Sequence, residues 1–292
     1  MSFRPLTLED QPIFRALEKE FPLLASDLNF TNMYIWNDYY HFVWAKAFDC
    51  LCLMASPEGG EPFALPPLGG GDLAAAADWL FGQMKEPIMS RVPKEVAERL
   101  VTARPSWLKF SDPDNDDYVY LSEKIITLSG RRLHQKKNHY NHFIQNNNVE
   151  YMDVTASTAK ELMEVEDRWL TARAERIGDQ THLIMERRAI HLLLENMATL
   201  DLQGLAIKVE GRIEAFTIGE ALNNDTAVIH AEKGNPEIRG IYVALCSEFC
   251  KRRFSHLTYI NREQDLGLPG LRFSKESLKP CHMSEKFVVK PF

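Results

Sequence analysis

Short apolar runs alternate with amphipathic segments along the whole chain, a pattern typical of mixed α/β proteins. In the first part of the sequence, this pattern predicts helices over residues 7–19, 72–84 and 94–102 and strands over residues 40–44, 50–55, 87–91 and 117–121. Thr7 is the expected N-cap of the first helix, with Asp10 three residues later. Tyr34 and Trp36 alternate as in a strand or an extended loop, and core packing explains these rings better than base stacking does.

The second part of the chain repeats this alternation more clearly. Its predicted order is a strand (149–154), two helices (157–176 and 186–200), three strands (205–210, 212–221 and 226–231), a helix (242–254) and two strands (257–260 and 287–290). This order indicates a mostly antiparallel sheet with one parallel pair. No low-complexity linker separates the two parts. A length of 292 residues suits one large domain or two of about 130 to 150 residues.

One segment departs from the acidic character of the chain, whose net charge is −7. Residues 124–149 contain no Asp or Glu, although they hold several basic side chains and three histidines. Within this segment, residues 130–145 are predicted to form a helix with Ser129 as its N-cap. The candidates of this helix for binding an anion or tRNA are Arg131, Arg132, Lys136, Lys137 and Asn138. Both a local anion site and a solvated charged face are consistent with this segment.

The remaining bulk properties are those of an ordinary globular protein. Hydrophobic content is 45%, no apolar run is long enough to span a bilayer, and the first residues lack a signal peptide, so a cytoplasmic location is expected. The five cysteines lack the spacing of a disulfide framework. A C-x-C and a C-x-x-x-C among them could be assembled into a metal site, but their strand-like and helical settings favour buried free thiols, and no metal is expected. The motifs of P-loop, zincin and α/β-hydrolase enzymes are absent.

A dense polar cluster follows the strand predicted at residues 257–260, and it consists of Asn261, Arg262, Glu263, Gln264 and Asp265. A Gly-x-Pro-Gly turn is predicted next, at residues 267–270. Strand ends that collect donors, acceptors and both signs of charge are where α/β proteins build ligand sites. We therefore expect a ligand site with Asp265 as a candidate base, and a solvated loop is the alternative. The substrate-binding candidates are Asn261, Arg262, Gln264, Arg272 and Lys275.

A second group of candidate residues lies at the end of the strand predicted at residues 226–231. His230 and Glu232 are two residues apart and therefore lie on one face of an extended strand. Such a pair can serve general acid–base catalysis on an attacking amine or hydroxyl, or it can be a hydrogen-bonded structural pair at a sheet edge. Arg239 precedes Gly240 and the next helix, where an arginine can meet an anion at the helix N-terminus.

Several stretches of the sequence resemble one family, the cytosolic C-terminal domain of lysyl-phosphatidylglycerol synthases and its soluble relatives. They are FTNMYIW (30–36), DYVYL (117–121), LSGRRLHQKKNHYNHF (128–143), HAEKGNPEIRGIY (230–242) and NREQDLGLPGLRFSK (261–275). The family is related to the Fem-type aminoacyltransferases and is built from two tandem GNAT-like (acyl-CoA N-acyltransferase-like) folds. The resemblance implies an α/β (α+β) chain with mixed, mostly antiparallel sheets. It also implies a GNAT-like lobe over residues 1–128, a basic connecting helix over residues 129–148 and a second GNAT-like lobe over residues 149–292.

The resemblance also bears on the donor of an acyl group. Acetyl-CoA-dependent members of the wider fold bind pyrophosphate through a [QR]-x-x-G-x-[GA] loop. Here the matching residues are Glu237, Gly240 and Tyr242, so a carboxylate and a bulky ring replace groups that favour phosphate. By resemblance, an aminoacyl-tRNA donor is favoured over acyl-CoA. The substrate-binding candidates of this loop are Arg239, Gly240 and Tyr242.

Two functions are consistent with these observations. The first is acyl or aminoacyl transfer, with tRNA as a partner and a small molecule or a lipid as the acceptor. Catalysis would then come mainly from positioning, assisted by one of the candidate catalytic residues Asp265, Glu232 or His230. The second is a catalytically inert binding or regulatory protein that senses a small anionic metabolite.

Overall fold

The computed structural model describes residues 2–174 and 181–292. The chain forms two compact units. The first consists of Met1–Asp117, Gln264–Pro269 and Met283–Phe292, and the second consists of Tyr118–Glu263 and Gly270–His282. Each unit is therefore assembled from segments that are distant in the sequence. The predicted boundaries at residues 128 and 148 stay a prediction.

Strands account for much of both units. They are β1 (Arg4–Pro5), β2 (Val43–Ala47), β3 (Cys50–Ala55), β4 (Phe63–Ala64), β5 (Met89–Pro93), β6 (Leu108–Ser111), β7 (Asp117–Leu121), β8 (Val149–Asp153), β9 (Gln203–Val209), β10 (Arg212–Ala221), β11 (Thr226–Gly234), β12 (Tyr259–Asn261), β13 (His282–Ser284) and β14 (Lys286–Lys290). Every strand predicted from the sequence has a counterpart among them, whereas the prediction omits short strands such as β6.

The α-helices of the described residues are α1 (Gln11–Glu20), α2 (Phe30–Ile35), α3 (Asn37–Tyr40), α4 (Leu73–Phe81), α5 (Lys94–Ala103), α6 (Ser122–Thr127), α7 (His134–Asn146), α8 (Ala159–Ala174), α9 (Thr181–Glu195), α10 (Ile241–Arg253) and α11 (Pro269–Glu276). The helix predicted over residues 157–176 corresponds to α8, and its last two predicted positions lie outside the described residues. None of the helices in the described part of the chain has the length and apolar character that crossing a membrane requires.

The first unit is built on a sheet with the strand order β1-β2-β3-β4-β5-β14-β6. The Ala-rich helix α4 packs on this sheet, and Asp72 caps it by accepting hydrogen bonds from the amides of Ala74 and Ala75. Apolar side chains such as Leu80 and Met89 fill the core. The helix predicted over residues 72–84 is therefore confirmed, and it ends at Phe81.

The second unit is built on a sheet with the order β13-β7-β12-β11-β10-β9-β8. β8 to β11 pair antiparallel, whereas β11 and β12 run parallel. The helix α10 lies against β9, β10 and β11, and its buried residues Ile241 and Leu245 share one core with Phe143 of α7 and Ile207 of β9. This core fixes α7 and α10 beside the central strands.

Two strands belong to a different sheet from the one that their sequence positions suggest. The sequence groups residues 117–121 with the first part and residues 287–290 with the second part, and this grouping is wrong. β7 lies beside β12 in the second sheet, with Tyr120 opposite Ile260, whereas β14 lies between β5 and β6 in the first sheet. An apolar run specifies that a strand forms but not which distant strand it pairs with.

Two further local predictions are wrong, and a third holds only in part. Residues 30–35 form the helix α2, capped by the side chain of Asn29, so the aromatic residues there do not alternate along a strand. Ser129 is not a helix N-cap, because residues 131–133 form a short 3₁₀-helix before α7 begins at His134. The turn expected at residues 267–270 is confirmed at Gly267 only, because α11 already begins at Pro269, the first helical position that suits proline.

Candidate functional site

β11 and β12 separate after a short parallel ladder in the second unit. The ladder pairs Thr226 with Tyr259, Ala227 with Ile260 and Val228 with Asn261, and it ends there. β11 continues to Gly234 with β10 as its neighbour, whereas the chain leaves β12 at residue 262. We call the opening between residues 229–234 of β11 and residues 262–263 the fork. Side chains from both edges of the fork meet across it.

His230 lies at a β-bulge on the β11 edge of the fork. Ile218 of β10 pairs with Ala231 and Gly219 pairs with Ile229, so His230 has no residue opposite it. Its imidazole is completely buried, with Nε2 3.0 Å from Oε1 of Glu220 and Nδ1 3.0 Å from Oε1 of Glu263.

Two carboxylates around one ring determine the charge of His230. Burial disfavours the imidazolium, but the hydrogen bonds to Glu220 and Glu263 outweigh it and raise the pKa of His230 to about 9. The ring is therefore protonated at neutral pH, and a protonated imidazole cannot accept another proton. His230 and Glu232 do not form the predicted acid–base pair, because the bulge turns His230 toward other carboxylates.

Glu232 pairs instead with Arg262 across the fork. Nε of Arg262 donates to Oε2 of Glu232 at 2.8 Å, and Nη2 donates to the same oxygen. Burial opposes the charge of Arg262, but the carboxylate of Glu232 keeps the pKa of this guanidinium well above its usual value. The pair leaves Oε1 of Glu232 and Nη1 of Arg262 buried, and neither atom has a hydrogen-bond partner in the described part of the protein.

The other residues of the predicted polar cluster shape the backbone around the end of β12. Oδ1 of Asn261 accepts the amide of Glu263 at 2.7 Å, and the buried Lys275 donates to the carbonyl oxygens of Arg262 and Glu263. Lys275 therefore holds the chain at the point where it leaves the strand. A backbone role explains why this lysine is buried.

Asp265, Gln264 and Arg272 complete the set of predicted residues after β12. Asp265 is buried in the first unit, where its Oδ1 accepts the amide of Gly267 at 2.8 Å. This geometry is that of an Asx turn. Gln264 and Arg272 are half-buried. Catalysis by Asp265 and ligand binding by the other two stay predictions.

The acid-free helix α7 brings half-buried cations close to the fork. Burial lowers the pKa of Lys136, and the positive charges of Arg262 and Lys279 lower it further. Burial likewise lowers the pKa of His139, assisted by Arg239 and Lys136. Among residues 2–174 and 181–292, no carboxylate forms an ion pair with Lys136 or Arg239. The positive charges of Lys136 and Arg239 are thus not neutralised by a carboxylate of the described residues. Such uncompensated positive charge favours the binding of an anion.

The start of the basic segment is more exposed. Arg131, Arg132 and Asn138 lie on the surface, whereas Lys137 donates to the carbonyl oxygen of Thr127 at 3.2 Å. A cleft of about 420 Å³ is lined by Thr127, Leu128, Ser129, Gly130, Arg131, His134 and Lys137. The basic side chains among these lining residues are Arg131, His134 and Lys137.

The loop before α10 differs in detail from a pyrophosphate cradle. Gly240 adopts a φ of 90°, and a Cβ there would collide with the carbonyl oxygen of His139 in α7, so this glycine permits helix packing. The amide of Glu237 donates to Oδ1 of Asn235, and the amide of Ile241 donates to the carbonyl oxygen of Ile238. These two amides are therefore not available to bind phosphate oxygens.

Residues 19–290 match the family described as "Phosphatidylglycerol lysyltransferase, C-terminal". This chain belongs to that family. The resemblance carried by the sequence stretches is therefore confirmed, and the match covers both units of the protein.

Solved structures extend this relationship. A conserved protein of unknown function from Bacteroides thetaiotaomicron is 29% identical, with a TM-score of 0.93 and complete coverage of both chains. L-PGS from Bacillus licheniformis is 17% identical and has a TM-score of 0.66 over 96% of this chain and 91% of that chain. FemX is 8% identical and has a TM-score of 0.60 over 99% of this chain and 97% of that chain. The α+β class with two GNAT-like folds and mixed sheets is thus confirmed.

This chain is also similar in sequence to one curated protein. An uncharacterized protein of Mycoplasmoides gallisepticum is 27% identical over 177 residues, which make up 60% of this chain and 56% of that protein. The match therefore spans little more than half of the relative's length.

A second buried charge cluster near the end of β11 escaped the sequence analysis. Lys233 lies 2.9 Å from Oε2 of Glu186 and 3.5 Å from Oε2 of Glu166, and its ammonium is 3.3 Å from the ring centre of Trp169. Burial raises the pKa of Glu166 to about 7, although Lys233 opposes this rise. A sequence signal does exist, because Glu166 lies on the buried stripe of α8 beside Leu162 and Val165.

The raised pKa of Glu166 predicts a specific pH dependence of stability. A folded state with a pKa of about 7 keeps a proton that the unfolded state, with a value near 4.5, has already released. This group therefore destabilises the fold progressively as pH rises from about 5 to 8. Glu166→Gln should raise the free energy of unfolding at pH 8 by roughly 3 kcal/mol relative to wild type, with little difference at pH 4.5.

Urea unfolding of both proteins at a series of pH values measures this difference. Glu161→Gln, on the exposed side of the same helix, is the control and should follow wild type at every pH. A Glu166→Gln variant that is less stable than wild type at pH 8 would show that the carboxylate is ionised and needed by Lys233.

No group of three or more His, Cys, Asp or Glu side chains is arranged to hold a metal ion within the residues that the structure describes. The cysteines there are free thiols, of which Cys281 is exposed and the others are buried.

Proposed function

We propose that this chain transfers an aminoacyl group from an aminoacyl-tRNA to a nucleophilic acceptor, either a small molecule or a lipid. Membership of the phosphatidylglycerol lysyltransferase family supports the choice of an aminoacyl group. The observation that carries the proposal is the set of half-buried or exposed cations on α7 and before α10. Lys136 and Arg239 have no carboxylate partner in the described residues, although the net charge of the chain is −7. A polyanionic donor would supply the missing negative charge.

The loop before α10 supports tRNA over acyl-CoA as the donor. A coenzyme A pyrophosphate needs free backbone amides at a helix N-terminus. Here the amides of Glu237 and Ile241 are engaged within the loop, and Tyr242 is held by the hydrogen bond from its hydroxyl to the carbonyl oxygen of Gly234 at 2.8 Å. The α7 backbone at His139 packs against Gly240. Phosphates along an RNA backbone need only side-chain cations, which this surface provides.

The transfer itself requires few catalytic groups. An amine or hydroxyl of the acceptor attacks the ester carbonyl, the ester C–O bond breaks, and the attacking group's proton ends on the released ribose oxygen. Holding the two reactants together and stabilising the oxyanion supply most of the rate in such reactions. The fork offers a guanidinium, that of Arg262, for this stabilisation.

One observation favours the second candidate function, a binding protein for an anionic metabolite. Each base named from the sequence is engaged by other groups: His230 is protonated between two carboxylates, Glu232 is paired with Arg262, and Asp265 caps a turn. A protein that only binds anions would use the same cations on α7 without needing a base. Transfer of the aminoacyl group distinguishes the two functions.

The proposed function is tested by incubating the protein with tRNA charged with labelled amino acids and with lipid or small-molecule fractions of cells. We expect label to leave tRNA and to appear in an acceptor when both protein and acceptor fraction are present. Arg239→Gln should slow transfer roughly tenfold at low tRNA concentration, because a charge-assisted hydrogen bond contributes about 1.5 kcal/mol. Arg104→Gln is the control, because it removes an exposed ion pair with Asp78 in the first unit.

Label that stays on tRNA with every acceptor fraction, while the protein binds a small anion tightly, would support the binding protein instead. Label that is released only as free amino acid would show hydrolysis and would contradict transfer.

A further inference from the structure

Two buried polar atoms at the fork have no partner in the protein. Oε1 of Glu232 accepts no hydrogen bond, and Nη1 of Arg262 donates none, within the residues that the structure describes. Both side chains are nearly buried, with 11% and 12% of their surfaces exposed. Buried polar atoms of native proteins nearly always have partners, because an unsatisfied one costs about 1 to 3 kcal/mol.

The surrounding side chains do not supply these partners. The ring of Tyr120 lies 5.8 Å from the guanidinium of Arg262, and its hydroxyl donates to the carbonyl oxygen of Lys275 at 2.9 Å. Nη1 of Arg262 still has no hydrogen-bond partner among the described residues. Lys275 is committed to the backbone carbonyls of residues 262 and 263. The other charge that acts on Arg262 from α7 is the cation Lys136, which cannot accept a hydrogen bond from a guanidinium.

The ion pair therefore leaves one acceptor and one donor close together, and both atoms are buried. Oε2 of Glu232 holds Nε and Nη2 of Arg262, so the remaining carboxylate oxygen and the remaining guanidinium nitrogen belong to groups already locked side by side. A complementary ligand has a cationic donor and a neutral or anionic acceptor on neighbouring atoms. An α-aminoacyl group has this arrangement, with its α-ammonium one carbon away from its carbonyl.

We propose that the Glu232–Arg262 pair binds the α-aminoacyl end of the donor, with the α-ammonium donating to Oε1 of Glu232 and the carbonyl oxygen accepting from Nη1 of Arg262. This inference rests on the proposed function and names the part of the donor that the fork recognises. Lys136, close to Arg262 and without an ion-pair partner among the described residues, then meets the phosphate of the terminal nucleotide. The site distinguishes charged from uncharged tRNA, which a surface of cations alone cannot do.

Binding of one tRNA in three forms tests this site. The forms are uncharged, charged through a stable 3′-amide, and the same amide with its α-amino group acetylated. For wild type, we expect the charged form to bind roughly tenfold more tightly than the uncharged form, since a hydrogen bond to a charged group contributes about 1.5 kcal/mol. Acetylation should remove most of this gain, because it removes the ammonium while keeping the carbonyl.

Two variants test whether Glu232 and Arg262 cause the tighter binding of charged tRNA. Glu232→Gln should bind the charged and acetylated forms with equal affinity and should bind the uncharged form as wild type does. Arg262→Lys should lose the preference for both acylated forms, since lysine cannot replace a guanidinium that makes several directed hydrogen bonds. The matched control is Glu248→Gln, which weakens another Glu–Arg ion pair of the second unit, with Arg252 on α10, and should leave the preferences unchanged.

The outcomes separate this inference from the function on which it rests. If wild type binds all three forms equally and still binds tRNA with a strong salt dependence, the aminoacyl site is wrong while the tRNA donor stands; a buried water would then satisfy both atoms. If none of the forms binds, the proposed donor is wrong, and the aminoacyl site fails with it. The wild-type comparison needs no variant, so an unstable Glu232→Gln protein would not prevent the decision.

Discussion

His230→Gln should lower the free energy of unfolding by roughly 3 to 5 kcal/mol at pH 7. The imidazolium of His230 is fully buried between Glu220 and Glu263, at 3.0 Å from an oxygen of each. Glutamine has a similar reach but no charge, so the variant leaves two carboxylates facing each other without a cation between them. Removing one member of a buried ionic group is among the most destabilising single changes known.

The same prediction has a pH signature. The folded-state pKa of His230 is about 9, raised from 6.5 by the two carboxylates. Its contribution to stability is therefore complete below pH 6.5 and is lost as pH rises through 9. The difference between wild type and His230→Gln should accordingly shrink between pH 7 and pH 10. Urea unfolding across this range measures it.

A matched control is available in the same unit. His256 is exposed, so His256→Gln should change stability by less than about 0.5 kcal/mol at any pH. A loss below about 1 kcal/mol for His230→Gln, or a loss that does not change with pH, would contradict a charged imidazole at this position.

The element order of the second unit could be predicted from the sequence because it depends on local periodicity. Alternation along β10 and the 3.6-residue period of α8 are visible in single segments. The sheet that each strand joins is not local. β7 belongs to the second sheet and β14 to the first, because each pairs with a strand that is far away in the sequence, β12 and β5 respectively. The aromatic run at residues 30–35 forms a helix because the side chain of Asn29 caps it, and alternating rings alone did not indicate this.

The candidate site could be predicted only in part, for a similar reason. His230, Glu232 and Arg262 were identified because polar side chains at strand ends are conspicuous. The pairing of these residues was not predicted, since the bulge at His230 breaks the two-residue alternation on which the predicted His230–Glu232 pair depended. Glu220 lies on β10 and Glu263 lies in the loop after β12, and no spacing rule connects them with His230.

The binding of tRNA should weaken steeply with salt if the basic segment holds its backbone. The cations that carry this expectation are Arg131, Arg132, Lys136, Lys137 and Arg239. Each phosphate contact releases about 0.7 to 0.9 counterions. If about four of these cations contact phosphates, a plot of the logarithm of the binding constant against the logarithm of the salt concentration has a slope of roughly −3. Affinity should then fall about 60-fold between roughly 50 and 200 mM salt.

Neutralising two of the cations changes the slope by a known amount. Lys136→Gln combined with Lys137→Gln should make the slope shallower by roughly one to two units. The control combines Lys94→Gln with Lys109→Gln, which removes the same charge from exposed ion pairs with Glu285 and Glu98 in the first unit. The control should keep the wild-type slope, because net charge alone does not place phosphates on α7.

The affinity of wild type for tRNA as a function of salt is the measurement that tests the proposed donor most directly. The account predicts a slope of roughly −3 that the α7 double variant reduces and the first-unit double variant does not. A small-anion binding protein touches one or two charges and predicts a shallow slope of about −1. A flat salt dependence, or no binding of tRNA at low salt, would contradict the aminoacyl-tRNA donor.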